Sequence, residues 1–196
     1  MTVVVQEGAL QLTVASERVL KWDDHRAFSD GLKRRAGTKA VDVCAVVDGV
    51  GPIYLELKDF RASAIENADR TRSGALAQEV AEKVRDTLAG LVWACGRGIG
   101  ESYHETLVGS FLRPGDGAKP IVVLWLEEDT ADPGGASALQ DAIRKALRPH
   151  ILAKVIVTST HLEARSSAPL QWLHATGLPS AHVARRGARK SRPRTR

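Results

Sequence analysis

Cysteine, long apolar runs and aromatic side chains are all scarce in this chain of 196 residues. The two cysteines, Cys44 and Cys95, lie far apart in apolar surroundings, which excludes a disulfide scaffold and favours reduced thiols. No apolar run approaches the roughly 20 residues that cross a bilayer. The apolar start at residues 3–5 is followed at once by Gln6 and Glu7, unlike the core of a signal peptide. These absences predict a cytoplasmic protein with no membrane partner.

Three catalytic or binding motifs are also missing or incomplete. The glycines at residues 96–100 have the wrong spacing for a phosphate loop and follow a helical pattern rather than a strand. His104 and Glu105 begin a zinc-protease motif, but Val108 stands where the second His is required. No Gly-X-Ser-X-Gly nucleophile turn occurs. The sequence therefore gives no sign of a nucleotide-binding loop, a zinc protease or a serine hydrolase.

Positive charge is distributed unevenly along the chain. Seven of the 28 basic residues lie within residues 185–196, and the other 21 face 23 acidic residues, so that the remainder carries a net charge of −2. The basic end is rich in Gly, Pro and Ser and cannot pack a core. We therefore divide the chain into one domain over residues 1–180 and a disordered tail over residues 181–196. Such a tail either binds phosphates or merely solubilises the protein. Its basic residues are Arg185, Arg186, Arg189, Lys190, Arg192, Arg194 and Arg196.

Apolar runs and helical patterns alternate through the rest of the chain. Leucines and valines at helical spacing predict a long helix from about Gly74 to Trp93. Continuous apolar runs at residues 120–126 and 155–158 predict buried strands with a helix between them, which implies parallel strands. The acidic cluster at residues 127–129 is best explained as a solvated strand exit, with an extra metal shell as the alternative.

A predicted β-hairpin carries charged residues where a core strand should have none. Apolar strand-like runs at residues 41–47 and 53–58 flank a cluster of turn formers, and they contain Asp42, Glu56 and Lys58. Burying two carboxylates and an ammonium is unfavourable unless the groups pair with one another or hold a metal ion. These three residues are therefore the strongest functional candidates in the chain.

The geometry of the hairpin depends on its register. A turn centred on Val50 places Asp42 opposite Lys58 and brings all three charged side chains onto one face, because side chains alternate with period two. Asp42 and Glu56 are then diagonal neighbours, about 7–8 Å apart at the backbone. Both carboxylates could reach one hard cation such as Mg²⁺. The alternative is an Asp42–Lys58 ion pair on a wet face, with Glu56 a solvated neighbour.

These residues resemble the motif of the PD-(D/E)XK nuclease superfamily, over roughly residues 10–130. Asp42 matches the family Asp, and Glu56, Leu57 and Lys58 match the Glu-X-Lys, while Val41 replaces the Pro. The resemblance implies a restriction-endonuclease-like α/β fold of three layers, with a mixed central sheet, a hairpin carrying the site, a crossing helix, and parallel strands flanked by helices. It also implies that Asp42 and Glu56 bind Mg²⁺ or Mn²⁺ and that Lys58 orients the attacking water.

The resemblance further implies accessory residues on two helices. A first helix in the family donates another acidic ligand, for which Glu17 is the best-placed candidate, although residues 2–20 fit a strand as well as a helix. The helix after Glu-X-Lys supplies a Gln or a Lys in some branches, and Gln78 is a better candidate here than Lys83. A solvated helix surface is the competing explanation for each. Asp23 begins an acidic pair that is also explained as a helix cap.

The function expected from these features is hydrolysis of DNA phosphodiester bonds by a magnesium-dependent endonuclease, in defence or DNA processing. RNA as substrate and a homodimer are left open. The alternative is a nucleic-acid-binding module on the same fold without catalysis, held on DNA by the basic tail. A third hypothesis is an assembly subunit that docks a protein partner through an exposed aromatic segment at residues 170–174.

Overall fold

The computed structural model describes residues 1–31, 37–61, 64–112, 119–130 and 132–177. The basic tail, with the predicted phosphate-binding residues, therefore lies outside the described residues. Those residues are Arg185, Arg186, Arg189, Lys190 and Arg192.

Strands and helices alternate through the described part of the chain. The strands are β1 (Val3–Glu7), β2 (Leu10–Val14), β3 (Arg18–Lys21), β4 (Val43–Val47), β5 (Gly51–Asp59), β6 (Ile121–Glu127), β7 (Lys154–Thr158) and β8 (Leu173–Gly177). The helices are α1 (Ala64–Arg72), α2 (Ala75–Gly96), α3 (His104–Leu112), α4 (Pro133–Leu147) and the single turn α5 (Thr160–Glu163), with a π-helical turn at Ala27–Gly31. The predicted long helix is confirmed as α2. Helix α3 lies in a segment predicted to be a connector.

The larger sheet has five strands in the order β3-β4-β5-β6-β7. Strands β3, β4 and β5 pair antiparallel, and β5, β6 and β7 pair parallel. The predicted mixed sheet, with a hairpin followed by helices and then parallel strands, is confirmed. Strand β5 lies in the middle of this sheet, so its side chains are covered from both faces.

The smaller sheet has three antiparallel strands in the order β1-β2-β8. Leu10, Leu12 and Val14 alternate inward along β2, so this part of the chain is a strand and not the first helix that the resemblance implies. Leu173 is buried in β8. The segment at residues 170–174 is therefore exposed only in part: Leu170 and Trp172 are half-buried against the core, while Gln171 and His174 are exposed. Docking of a partner there stays a prediction.

The smaller sheet, the larger sheet and the helices form three layers, with a hydrophobic core on each face of the larger sheet. One face of β5, with Ile53, Leu55 and Leu57, packs against the smaller sheet. The other face, with Tyr54, belongs to the core that includes α2 and α4. This second face also carries Glu56, since side chains alternate along a strand. The charged residues of the hairpin thus lie beneath the helices.

The hairpin register differs from the prediction by two residues. Val43 pairs with Leu55, and Val47 pairs with Gly51, around a turn centred on Gly49. Gly49 has a φ of 73°, a left-handed conformation that glycine adopts readily, and this permits a tighter turn than one centred on Val50. A shift of two preserves the face of every side chain, but it brings Glu56 rather than Lys58 opposite Asp42.

Both cysteines are free thiols, with Cys44 buried and Cys95 half-buried. Among the described residues, no helix combines the length and apolar character that a membrane crossing requires.

Packing between the two sheets should contribute strongly to stability. Leu12 has 0 % exposure between the sheets, whereas Leu152 is 67 % exposed. We expect Leu12→Ala to lower the free energy of unfolding by about 2–5 kcal/mol, because it removes buried methyl groups and leaves a cavity. Leu152→Ala, the same change at the surface, should alter it by less than about 0.5 kcal/mol. Urea unfolding followed by circular dichroism compares the two, and equal effects would contradict the proposed core.

Candidate functional site

Asp42 lies directly before β4 and is fixed by the backbone around it. Its Oδ2 accepts a hydrogen bond of 2.7 Å from the N–H of Leu57, and its carbonyl oxygen accepts one of 3.1 Å from the N–H of Trp22. Continuing the β4–β5 register by one residue beyond Val43 places Asp42 across from Glu56. The strand end thus holds the Asp42 carboxylate beside Glu56 without relying on solvent.

Glu56 is more deeply buried than Asp42, with 1 % exposure. Its Oε1 lies 2.6 Å from the Nζ of Lys83 and 2.9 Å from the Nζ of Lys58. Its Oε2 is buried and has no hydrogen-bond partner among the described residues. One oxygen of Glu56 is therefore doubly paired, while the other remains available to a further ligand.

Helix α2 covers the carboxylates with two charged residues one turn apart. Lys83 contacts Glu56 and also lies 3.7 Å from the Oδ1 of Asp42, so that its ammonium bridges the two carboxylates. The Oε1 of Glu79 lies 2.8 Å from the Nζ of Lys58, and its Oε2 lies 2.6 Å from the guanidinium of Arg70 on α1. We call this set the charge cluster: Asp42, Glu56, Lys58, Glu79 and Lys83, with Arg70 at its outer end.

Burial is the largest cause of the raised pKa of both hairpin carboxylates, and the charge of Asp42 adds to it for Glu56. Burial, together with the charge of Asp42, raises the pKa of Glu56 to about 7, although Lys83 and Lys58 act in the opposite direction. Burial also raises the pKa of Asp42, partly offset by Lys83 and by the hydrogen bond from Leu57. Neither lysine fully neutralises this site, and an added cation would stabilise both carboxylates in their charged form.

Lys58 and Glu79 lie at the rim of the cluster, and their pKa values are shifted in the directions that a mutual ion pair produces. Burial acts to lower the pKa of Lys58, but the carboxylates of Glu56 and Glu79 outweigh burial and raise it. Burial acts to raise the pKa of Glu79, but Lys58 and Arg70 outweigh burial and lower it. Lys58 and Glu79 are therefore both charged at neutral pH.

Asp23, which follows β3, is a second acidic residue coupled to Asp42. Its Oδ1 is buried without a hydrogen-bond partner among the described residues. Burial raises the pKa of Asp23 to about 6, with Lys21 opposing and the charges of Asp24 and Asp42 adding to the increase. Sequence reasoning treated Asp23 as a helix cap, because its nearness to Asp42 arises only from the pairing of β3 with β4.

The predicted accessory residues do not join the charge cluster. Glu17 is exposed in the bend between β2 and β3, with no described helix there to carry it. Gln78 is exposed and donates to Glu82 at 3.1 Å. It lies two residues before buried Val80, which places it on the opposite side of α2 at about 100° per residue. Lys83, adjacent to the buried stripe, is the helix residue that reaches the site.

The acidic cluster that follows β6 is solvated only in part, since Asp129 is exposed, Glu128 is half-buried and Glu127 is buried. Glu127 is buried, and its Oε2 accepts hydrogen bonds from the indole of Trp125 at 2.9 Å and the hydroxyl of Thr160 at 2.8 Å. The uncharged donors Trp125 and Thr160 thus satisfy the buried carboxylate with hydrogen bonds. Thr160 reaches it because the segment after β7 folds back over the end of β6. Glu127 therefore has a structural role in joining these strands.

Within the part of the chain that the structure describes, no group of three or more His, Cys, Asp or Glu side chains is placed to hold a metal ion. No family model, curated protein or solved structure matches the chain. The charge cluster therefore has to be interpreted from its own geometry.

The pairing of Lys83 with Glu56 can be measured directly. We expect Lys83→Met to raise the pKa of Glu56 further above about 7, because the variant removes an ammonium 2.6 Å from its Oε1. A carboxyl ¹³C NMR titration reports this pKa. Lys39→Met is the matched control, since Lys39 pairs with Glu82 of the same helix at 2.6 Å. An unchanged Glu56 pKa in Lys83→Met would show that the pair does not form.

The raised pKa of Glu56 also predicts how stability changes with pH. The folded protein binds the Glu56 proton more tightly than the unfolded chain, so the contribution is greatest below pH 4.5 and is lost as the pH rises through about 7. Relative to Glu56→Gln, the wild type should lose roughly 3 kcal/mol across this window. Denaturant unfolding at several pH values measures the difference. Glu82→Gln is the control, because the pKa of Glu82 is lowered and the sign is opposite.

Proposed function

We propose that this chain is a cytoplasmic, metal-dependent nuclease that hydrolyses DNA phosphodiester bonds on a restriction-endonuclease-like fold. The observation that carries the proposal is the convergence of two buried carboxylates, from neighbouring strands, on a single cation. Asp42 and Glu56 both face the ammonium of Lys83, and Lys58 contacts Glu56 beside them. Two carboxylates and a lysine in this arrangement are suited to phosphodiester hydrolysis.

The strand order supports the fold in this proposal. An antiparallel hairpin carries the site, α1–α3 follow it, and β6 then pairs parallel to β5. This is the core order that the resemblance implies. The smaller sheet packs on the apolar face of the hairpin, and its strands β1 and β2 occupy residues in which the resemblance implies a first helix. The departure leaves the face that carries the charge cluster unaltered.

Mg²⁺ or Mn²⁺ fits the donors that the site offers. The Lys83 ammonium already occupies a position shared by both carboxylates, which makes it a stand-in for a cation. Glu56 Oε2 is a buried acceptor with no partner among the described residues, and carboxylate oxygens are the ligands that these ions prefer. Asp42 and Glu56 would hold the ion. When bound, it would polarise the phosphate and lower the pKa of a water molecule.

The residues of the chain itself have distinct tasks in this proposal. Asp42 keeps its carboxylate orientation through the Leu57 N–H. Lys58 remains protonated between Glu56 and Glu79 and can donate to a phosphate oxygen, where it would stabilise the negative charge that develops during hydrolysis. Lys83 pairs with Glu56 at 2.6 Å, and a divalent ion would have to compete with its ammonium. Each task depends on a contact already present in the protein.

A second candidate function follows from the same lysine. Lys83 and Lys58 pair with Glu56 at 2.6 and 2.9 Å and satisfy much of its charge without any metal. A protein stabilised in this way needs no catalytic ion, and it would be a nucleic-acid-binding module or an assembly subunit. Its contact with DNA would then depend on the basic tail, and the binding would be independent of metal and sensitive to salt.

Cleavage of supercoiled plasmid with Mg²⁺ or Mn²⁺ tests the two functions against each other. We expect nicking or linearisation by the wild type and a loss of at least about 100-fold in Glu56→Gln and Lys58→Met, because these variants remove a ligand and a charge-stabilising donor. Glu82→Gln, the same change on α2 outside the charge cluster, should cleave normally. Circular dichroism establishes that each variant is folded.

An NMR titration and the behaviour of two further samples complete this test. Mg²⁺ should lower the pKa of Glu56 in the NMR titration, since a bound cation favours the ionised carboxylate. Full cleavage by Glu56→Gln would refute the proposed site. Retention of DNA on a gel without cleavage, lost when residues 181–196 are deleted, would instead establish the binding module.

A further inference from the structure

Two histidines lie against each other in an aromatic cluster outside the charge cluster. His104, the first residue of α3, is 0 % exposed, and the centre of its ring lies 5.4 Å from that of His25, in the loop after β3. Neither ring nitrogen of His104 has a hydrogen-bond partner within the described part of the chain. We propose that His25 and His104 form an acid-sensitive latch, which holds α3 against this loop at neutral pH and opens when the two rings take up protons. The inference goes beyond the proposed function and does not depend on it.

The surroundings of His104 are unsuited to a positive charge. Its ring is perpendicular to those of Trp22 and Tyr103, with centres 6.1 and 5.5 Å away. The indole N–H of Trp22 is a donor, and it too is buried without a partner among the described residues. A Cβ at Gly100 would come 2.6 Å from the Nδ1 of His104, so the backbone closes that side. The neutral ring already leaves a donor and an acceptor unsatisfied, and an imidazolium would add a buried charge.

His25 makes a hydrogen bond that a proton would break. Its Nδ1 accepts the N–H of Ala27 at 3.2 Å, at the start of the π-helical turn Ala27–Gly31. A protonated imidazole carries hydrogen on both nitrogens and accepts no hydrogen bond. The ring of His25 also stacks on Trp22, with centres 5.4 Å apart. Protonation of His25 would therefore free the Ala27 N–H and place a positive charge beside His104.

The charged groups around the two histidines do not compensate for burial. Burial is the largest effect on both rings and lowers the pKa of each, whereas the charge of Glu101 acts in the opposite direction. Arg26 lowers the pKa of His25 further, and His25 lowers that of His104. Tyr103 directs its hydroxyl at a carbonyl of β3, 3.4 Å away. Further charged residues nearby are Lys21, Asp23 and Asp24, which interact with one another, and exposed Glu105 of α3.

Acid should favour the open form, because that form binds protons more tightly. A pKa that is lowered in the closed form gives stabilisation that is complete above the ordinary histidine pKa of about 6.5 and is lost as the pH falls below it. Each proton taken up on opening raises the ratio of open to closed protein by up to about tenfold per pH unit. Two histidines in one latch make this dependence steeper than either alone.

Trp22 connects the latch to the backbone of the larger sheet. Its ring contacts both histidines, and its N–H donates to the carbonyl oxygen of Asp42 at 3.1 Å. Helix α3 is also held to β5, because the hydroxyl of Tyr54 donates to the carbonyl of Leu107 at 3.0 Å. Opening of the latch would therefore withdraw one backbone contact of Asp42 and loosen one end of α3.

The decisive variant is His104→Leu, because leucine is of similar size, satisfies the apolar surroundings and takes up no proton. Amide hydrogen exchange of α3 is compared between wild type and variant at each pH from 7.5 to 5, so that the intrinsic exchange rate cancels. Below pH 6.5 we expect the protection of the wild type to fall relative to the variant by up to about tenfold per pH unit. His150→Leu, at an exposed histidine after α4, is the control and should behave like the wild type.

His25→Asn is the second variant, since an Asn side chain can still accept the Ala27 N–H and takes up no proton. It should reduce the acid sensitivity of α3 while His104 is retained, and it decides the question if His104→Leu does not fold. Equal pH dependence of exchange in the wild type and the variants would overturn the inference. So would an NMR titration in which His104 gains its proton at the ordinary pKa of about 6.5 with the protection of α3 unchanged. Neither measurement needs DNA or a metal, so the result is independent of nuclease activity.

Discussion

The burial of one carboxylate in the middle strand of the larger sheet is the constraint on which the candidate site depends. Glu56 is 1 % exposed on β5, and an isolated charge at such a position is unfavourable by several kcal/mol. The ammonium groups of Lys58 and Lys83 reduce this penalty. Lys83 can do so only because α2 is positioned over β5 so that its side chain reaches Glu56. The pairing of the two lysines and the shifted pKa of Glu56 are therefore consequences of one buried group.

The two faces of β5 have different roles: one packs against the smaller sheet, and the other carries the charged groups. The face with Ile53, Leu55 and Leu57 packs on the smaller sheet and gives the strand a rigid support. The opposite face can then carry charged groups without loss of the sheet, because the hydrogen-bonded ladder and the apolar face already fix the backbone. Functional groups on such a supported strand are held more accurately than groups on a loop. This is the property that a site for a cation and a phosphate requires.

Much of this arrangement was predictable from sequence, and the remainder depends on how separate elements meet. Alternation alone places Asp42, Glu56 and Lys58 on one face, and a register error of two residues leaves that result intact. Helical spacing likewise predicts α2. It does not predict the rotation of α2 relative to the sheet, which decides that Lys83 rather than Gln78 reaches Glu56. The contacts of Asp23, Glu79 and buried Glu127 were not predicted for the same reason, since their partners lie on other elements.

The charge balance of the cluster limits how a metal could act there. The cluster holds three carboxylates and three cations: Asp42, Glu56 and Glu79, with Lys58, Lys83 and Arg70. A divalent ion added to this neutral set would repel the lysines, unless a phosphate arrived with it or Lys83 moved away from Glu56. Cation and substrate would then bind in a coupled manner, each favouring the other by the same free energy. A permanently bound divalent ion is not favoured by this balance, and under the proposed function two phosphate charges arriving with the ion would offset its charge.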